Sequence, residues 1–93
     1  MNRTVLSAQL VQRGALRYTP AGVPALDLSL KHESEVTQDG QARRVSVEIK
    51  ARAVGAIVQR LAGLEMGSEH GFAGFLGSQR TGRGVIFHVT ELD

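Results

Sequence analysis

The chain has 93 residues, with eleven Lys or Arg against nine Asp or Glu, a formal net charge of +2, a pI near 9.7 and no cysteine. This length suits a single domain, residues 1–93, that buries roughly 60–70% of its unfolded surface, and the absence of cysteine excludes disulfides, zinc–thiolate sites and thiol nucleophiles, as suits a reducing cytoplasm. The N-terminal Met1-Asn2-Arg3-Thr4-Val5-Leu6-Ser7 carries no long apolar run, so neither a signal peptide nor a membrane span is predicted, and the mild basic bias permits a nucleic acid or acidic partner without requiring one.

In chain order, Thr4 to Gln12 places Val5, Leu6, Ala8, Leu10 and Val11 around Ser7 and Gln9, which predicts a first strand. Gly14 loosens it, and Thr19-Pro20-Ala21-Gly22 reads as a turn, because proline presets φ and glycine accepts positive φ. Leu26, Leu28, Leu30 and His32 then alternate with Asp27, Ser29, Lys31 and Glu33 as a second strand, forming a hairpin with the first whose loop carries Arg13 and Arg17. A polar connection from Glu33 to Ala42, with the turn pair Asp39-Gly40, joins it to a third.

The third strand, Arg43 to Arg52, alternates strictly. Val45, Val47, Ile49 and Ala51 point one way and Arg44, Ser46, Glu48, Lys50 and Arg52 the other, giving one dry face and one wet, largely cationic face. That wet face suits a polyanion, or is simply solvated surface. Val54, Ile57, Val58, Leu61 and Leu64 recur at spacings of three and four, the stripe of one short helix ended by Gly63 and Gly67. Gly71 to Gly77 is apolar with glycine at every third place, as a bent or bulged fourth strand requires. The polar loop from Ser78 to Gly84, with Arg80 and Arg83, leads to a last strand, Val85 to Leu92. Three strands, a short helix and two more strands predict an all-β, five-stranded OB-fold barrel with the helix between strands three and four. Its expected core is Leu26, Leu28, Leu30, Val45, Val47, Ile49, Ile57, Leu61, Phe72 and Phe87, with Phe75 assigned to the interior as well.

Catalytic and cofactor chemistry finds no foothold. His32, His70 and His88 lack metal-ligand spacing. Glu33 and Glu35 share a face without a neighbour to separate their pKa values. The glycines fit neither the phosphate loop nor the dinucleotide fingerprint. No enzyme, metal or cofactor is predicted. Tyr18, beside Arg17 in a loop, is a candidate to stack a base, and the candidate phosphate contacts are Arg13, Arg17, Arg43, Arg44, Lys50, Arg80 and Arg83.

Several stretches carry a resemblance: Asn2-Arg3 before Val5-Leu6-Ser7, Leu16 to Gly22, Leu30-Lys31-His32, Gly67-Ser68, Gly74-Phe75-Leu76 and Phe87-His88-Val89. Together they resemble the bacterial primosomal replication protein N (PriB) family nearly end to end, and the part from Arg17 to Leu30 is shared with the broader single-stranded DNA-binding (SSB) protein family. SSB proteins continue into a flexible linker and acidic tip, whereas this chain stops at Asp93. The resemblance implies a cytoplasmic homodimeric OB protein, not an enzyme, that binds single-stranded DNA and works with the restart helicase and other primosome proteins. It places the DNA face on Arg43, Arg44, Ser46 and Lys50, with Arg80 and Arg83 in the last loop. It also places protomer pairing at the first strand, where Val5, Ser7 and Gln9 offer neither proline nor charge against strand addition. The chain departs from the family pattern at Ser46 and near Gln41, where aromatics stand in relatives, and at Glu33, where a basic residue is expected. Two classes therefore stay open: a single-stranded DNA-binding module, and a protein-interaction adaptor in which DNA contact is weak or relocated.

Overall fold

Strand pairing in a computed structural model of the chain, which describes residues 1–80 and 82–93, follows the period-two segments. The elements in order are β1 (Thr4–Arg13), β2 (Arg17–Tyr18), β3 (Pro24–Gln38), β4 (Gln41–Val54), α1 (Ile57–Ala62), β5 (Glu69–Ser78) and β6 (Val85–Leu92). The sheet runs β1-β5-β6-β4-β3-β2, and β1 also pairs with β3. Closure works because β1 is shared: Thr4 to Gln9 pair antiparallel with β5, while Gln9 to Arg13 pair with β3 across a register shift between Leu10 and Gln12. A parallel contact joins β4 to β6 at Ala51↔Phe87 and Arg52↔His88. Five strands make the barrel, as expected for an OB fold. The two-residue β2 is an edge addition on β3, made where Thr19 and Gly22 close the predicted turn through Gly22 N–H to Thr19 O at 2.8 Å.

The core is built by the inward residues of each strand and by α1. Leu10, Leu26, Leu30, Val58, Leu61, Phe72, Phe87 and Val89 are fully buried, and among the described residues no polar or charged residue is buried with them. The helix is shorter than the apolar stripe predicts. Val54 belongs to β4 and is exposed, Gly55 at φ 98° breaks the strand from the helix, and Leu64 follows the helix end. A strand ladder that continues to Val54 takes those residues before a helix can, since a six-residue helix gains little by itself.

β3 and β4 form a hairpin that outruns the barrel. Their ladder continues from Ala25↔Val54 to Gln38↔Gln41, so the segment expected to be a connection is mostly strand. The turn is Asp39-Gly40, both at positive φ (52° and 73°), as a two-residue hairpin turn matched to strand twist requires. Beyond Leu30↔Ile49 the hairpin leaves the hydrophobic core. Eight further rungs, about 27 Å at the usual strand rise, project as an arm and help stretch the molecule to 50 Å along its longest axis. The expected core is corrected here: Val47 is exposed, and Val45, Ile49 and Ile57 are only half-buried. Phe75 is also corrected, being 42% exposed on the outer face of β5.

The glycine-rich β5 contains the expected irregularity, a register shift against β6 between Ala73 and Gly74. A Cβ on Gly74 would lie 1.7 Å from the carbonyl oxygen of His88, so the two backbones approach more closely than any side chain permits.

Candidate nucleic-acid interface

The outer face of β3 and β4 carries a charge ladder. In register, Glu35 faces Arg44, Glu33 faces Ser46, Lys31 faces Glu48, Ser29 faces Lys50 and Asp27 faces Arg52. Opposite charges therefore meet on most rungs, and cross-strand partners of this kind attract each other rather than a ligand. Arg44 approaches Glu33 at 3.9 Å but is 83% exposed, and Lys31 lies 3.4 Å from Glu33. Glu33, where the family pattern has a basic residue, here balances two cations. Along the arm the outer face is close to neutral.

At the barrel the balance changes. A groove of about 440 Å³ opens between the end of β1, the middle of β3 and β4, and the β5–β6 loop. Its charged lining is Arg13, Lys50, Arg52 and Arg80 against the single carboxylate of Asp27, with Gln12, Ser29 and Gln79 as neutral hydrogen-bonding groups and Leu28, Ala51 and Ile86 as floor. Asp27 organises one side. Arg17 Nη1 donates to its Oδ2 at 2.6 Å, and Arg52 Nε donates to its Oδ1 at 2.9 Å. Partial burial pushes the Asp27 carboxyl up, but the two guanidinium groups outweigh it and hold the carboxyl below its usual range.

The structure scatters the sequence-predicted cations into different roles. Arg13, at the groove wall, is tied to the helix: its Nη1 donates to the carbonyls of Leu64 at 2.6 Å and Leu61 at 3.3 Å, satisfying oxygens at the C-terminal end of α1. Arg17 is tied to Asp27. Arg43 lies on the opposite face from Arg44, in the row of Val45 and Val47, and donates to Gln38 Oε1 at 3.1 Å. Ser46 is exposed on the outer face of the arm. Lys50 and Arg80 both line the groove, and among the described residues neither makes an ion pair. Arg83 is exposed beyond the groove in the β5–β6 loop, which Gln79 N–H closes onto Gly84 O at 3.1 Å. Thr81, in the same loop, lies outside the described residues. Tyr18 is 64% exposed on β2.

Sequence reasoning missed Arg52, Asp27, Gln79 and Ile86 as groove residues. A signal existed for the first two, since their alternation placed both on outer faces, but their meeting depends on a ladder between residues 25 apart. The strand edge also resolves. Gln9 is paired on both sides, to Glu69 and Lys31, so its backbone is closed to strand addition, and only Val5 and Ser7 stand on the open side of β1. There, Ser7 O meets His32 Nδ1 at 2.6 Å. No three His, Asp or Glu side chains converge on a metal-sized site among the described residues, and no helix among them is long and apolar enough to cross a membrane.

Comparison with known proteins places this architecture. A sequence family described as "Another single-strand binding protein family" matches residues 2–91. Replication restart protein PriB of Bordetella pertussis is 48% identical over 80 residues, covering 86% of this chain and 75% of that protein. The Neisseria gonorrhoeae protein of the same name is 46% identical over 54 residues, 58% of this chain and 54% of its own. Among solved structures, PriB from Ralstonia solanacearum superposes with a TM-score of 0.91 at 33% identity over 100% of this chain and 96% of that one. The single-stranded DNA-binding protein of Thermus aquaticus superposes with a TM-score of 0.78 at 28% identity, covering 100% of this chain and 49% of that one. An OB barrel with an extended β3–β4 arm, aligned over most of its length with these replication restart proteins, makes this chain a member of the PriB family within the single-strand binding proteins.

Proposed function

We propose that this chain is an accessory single-stranded DNA-binding protein of replication restart in the bacterial cytoplasm, and that it has no catalytic activity of its own. The observation that carries this reading is the groove at the barrel, where Lys50 and Arg80 stand without carboxylate partners among the described residues, on a fold shared with proteins named for replication restart and for single-stranded DNA binding. Phosphate oxygens supply the missing negative charge. Arg44 on the arm and Arg83 in the β5–β6 loop extend the track at its two ends, with Tyr18 and Ser46 beside it. Arg13, Arg17 and Arg43 are held by protein groups and contribute less.

The test is a titration of fluorescein-labelled single-stranded DNA at several salt concentrations. Four phosphate contacts give a slope of log affinity against log salt near −3, at about −0.7 per phosphate on single strands. Replacing Lys50 and Arg80 together by alanine flattens it by about 1.4, with affinity falling alike for all sequences because phosphates carry no base information. A salt-insensitive affinity would refute the reading.

The reading includes a homodimer formed by antiparallel addition at Val5 and Ser7 of β1, whose open edge lacks proline and charge at those positions. It also includes contacts with the restart helicase and other primosome proteins. The adaptor alternative draws support from the arm's inner face, where Val36 and Val47 stand exposed and Val45 half-buried in neighbouring rungs. Sedimentation finding a monomer at tens of micromolar would remove the dimer from this picture.

A further inference from the structure

The wet face of the third strand carries no aromatic, yet the structure holds one on the same surface two strands away. Phe75 is 42% exposed, and its ring lies flat on the imidazole of His88, with centroids 4.7 Å apart and planes 13° from parallel. His88 in turn stands in register with Arg52 on β4, and Arg52 with Asp27 on β3. Phe75, His88, Arg52 and Asp27 therefore form one row across the outer face. At the usual strand separation Phe75 lies about 10 Å from Arg52. Two residues earlier on their strands, Ile86 and Lys50 line the groove from that same face. The platform and the cationic groove are thus one continuous surface.

The local packing holds the platform open. Gly77 is the next residue after Phe75 on this face of β5, and a Cβ there would come 3.0 Å from His88 Nε2. A side chain at 77 would push the imidazole out of the stack. With glycine there, the imidazole backs one face of Phe75 while much of the ring stays in solvent. An aromatic ring supported this way offers a rigid flat surface, and every nucleobase has a π-face to lay against it. A second apolar protein surface suits the position less well, because the row beside the ring consists of an imidazole, a guanidinium and a carboxylate.

We propose that Phe75, backed by His88, is a base-stacking platform for a single-stranded nucleic acid whose phosphates follow Lys50 and Arg80. This rests on the single-strand-binding reading and adds to it the contact that is independent of salt. Gly-rich apolar sequence hides the site, since both faces of β5 read as interior.

The experiment measures binding of a short oligothymidylate, by anisotropy at low and high salt, to the full chain and to Phe75→Ala, Phe75→Leu and Phe75→Tyr. Alanine and leucine are expected to weaken binding about ten-fold or more at both salts, with the salt slope unchanged, and tyrosine to retain it. Leucine keeps the apolar bulk and removes only the ring. Parent-like affinity for the alanine and leucine variants, with salt-dependent binding by the parent, overturns the platform and leaves the cationic groove standing. No binding by the parent overturns both. Melting curves should match, because the ring is exposed. A change of sedimentation state in Phe75→Ala would show a protein contact instead and also overturn the proposal.

Discussion

Val47 stands directly across from His32 in the β3–β4 ladder, two rungs beyond the last that packs over the core, and is 42% exposed. Its alternation matches that of Ile49 and Ala51, but the barrel ends beneath it. Val47→Asp should therefore melt close to the parent, within about 1 kcal/mol, as exposed substitutions usually do. Leu30→Asp, two rungs earlier on the same face and fully buried, should abolish cooperative unfolding. Thermal denaturation followed by circular dichroism separates the two outcomes.

Arg13 should prove to be a stability residue. Its guanidinium satisfies Leu61 and Leu64 carbonyls at the end of α1, so Arg13→Ala should lower unfolding free energy by about 1–2 kcal/mol. The slope of DNA affinity against salt should stay where it was. Urea unfolding and the salt titration give the two readings on the same variant.

Asp27 should set an acid limit. Its folded pKa lies below its unfolded value, so its ion pairs stabilise the fold fully above the ordinary aspartate pKa of about 3.9. That contribution is lost as pH falls through the lower folded value. The side chain is 47% exposed, and solvent screening keeps the neutral-pH cost of Asp27→Asn to about 0.5–1 kcal/mol. The same substitution releases Arg17 and Arg52 beside the groove. Single-stranded DNA should then bind more tightly, with the salt slope steeper by up to about 1.4 if both reach phosphates. Melting between pH 2 and about 5 and the salt titration check the two halves.

Gly74→Ala should be among the most damaging single changes in the chain. The added methyl meets the His88 carbonyl at 1.7 Å, and a backbone atom in a β ladder has nowhere to move without opening the β5–β6 register. A loss of about 3 kcal/mol or more is expected. Loss of dispersed amide signals in a proton–nitrogen spectrum would show it.

Much of the architecture was written locally. Alternation of Leu26, Leu28 and Leu30, the Thr19-Pro20-Ala21-Gly22 turn, Asp39-Gly40 and the glycine-spaced β5 each express a backbone preference of a few neighbouring residues, so strand order and barrel class followed from them. Period-two alternation states which face a side chain leaves by, and says nothing about whether another layer lies there. Alternation therefore predicts Val45 and Val47 in the core, whereas the tertiary structure sets them on an arm. The same limit applies to charge. Arg13, Arg17 and Arg52 read alike as cations, but one caps a helix 48 residues away and the other two share Asp27, and these pairings exist only once β1, β3 and β4 are in register. Phe75 was likewise decided by the sheet, which turned it outward onto His88. The free cations and the open ring are what remains after long-range pairing has used the rest, because such pairing depends on distance through space rather than along the chain.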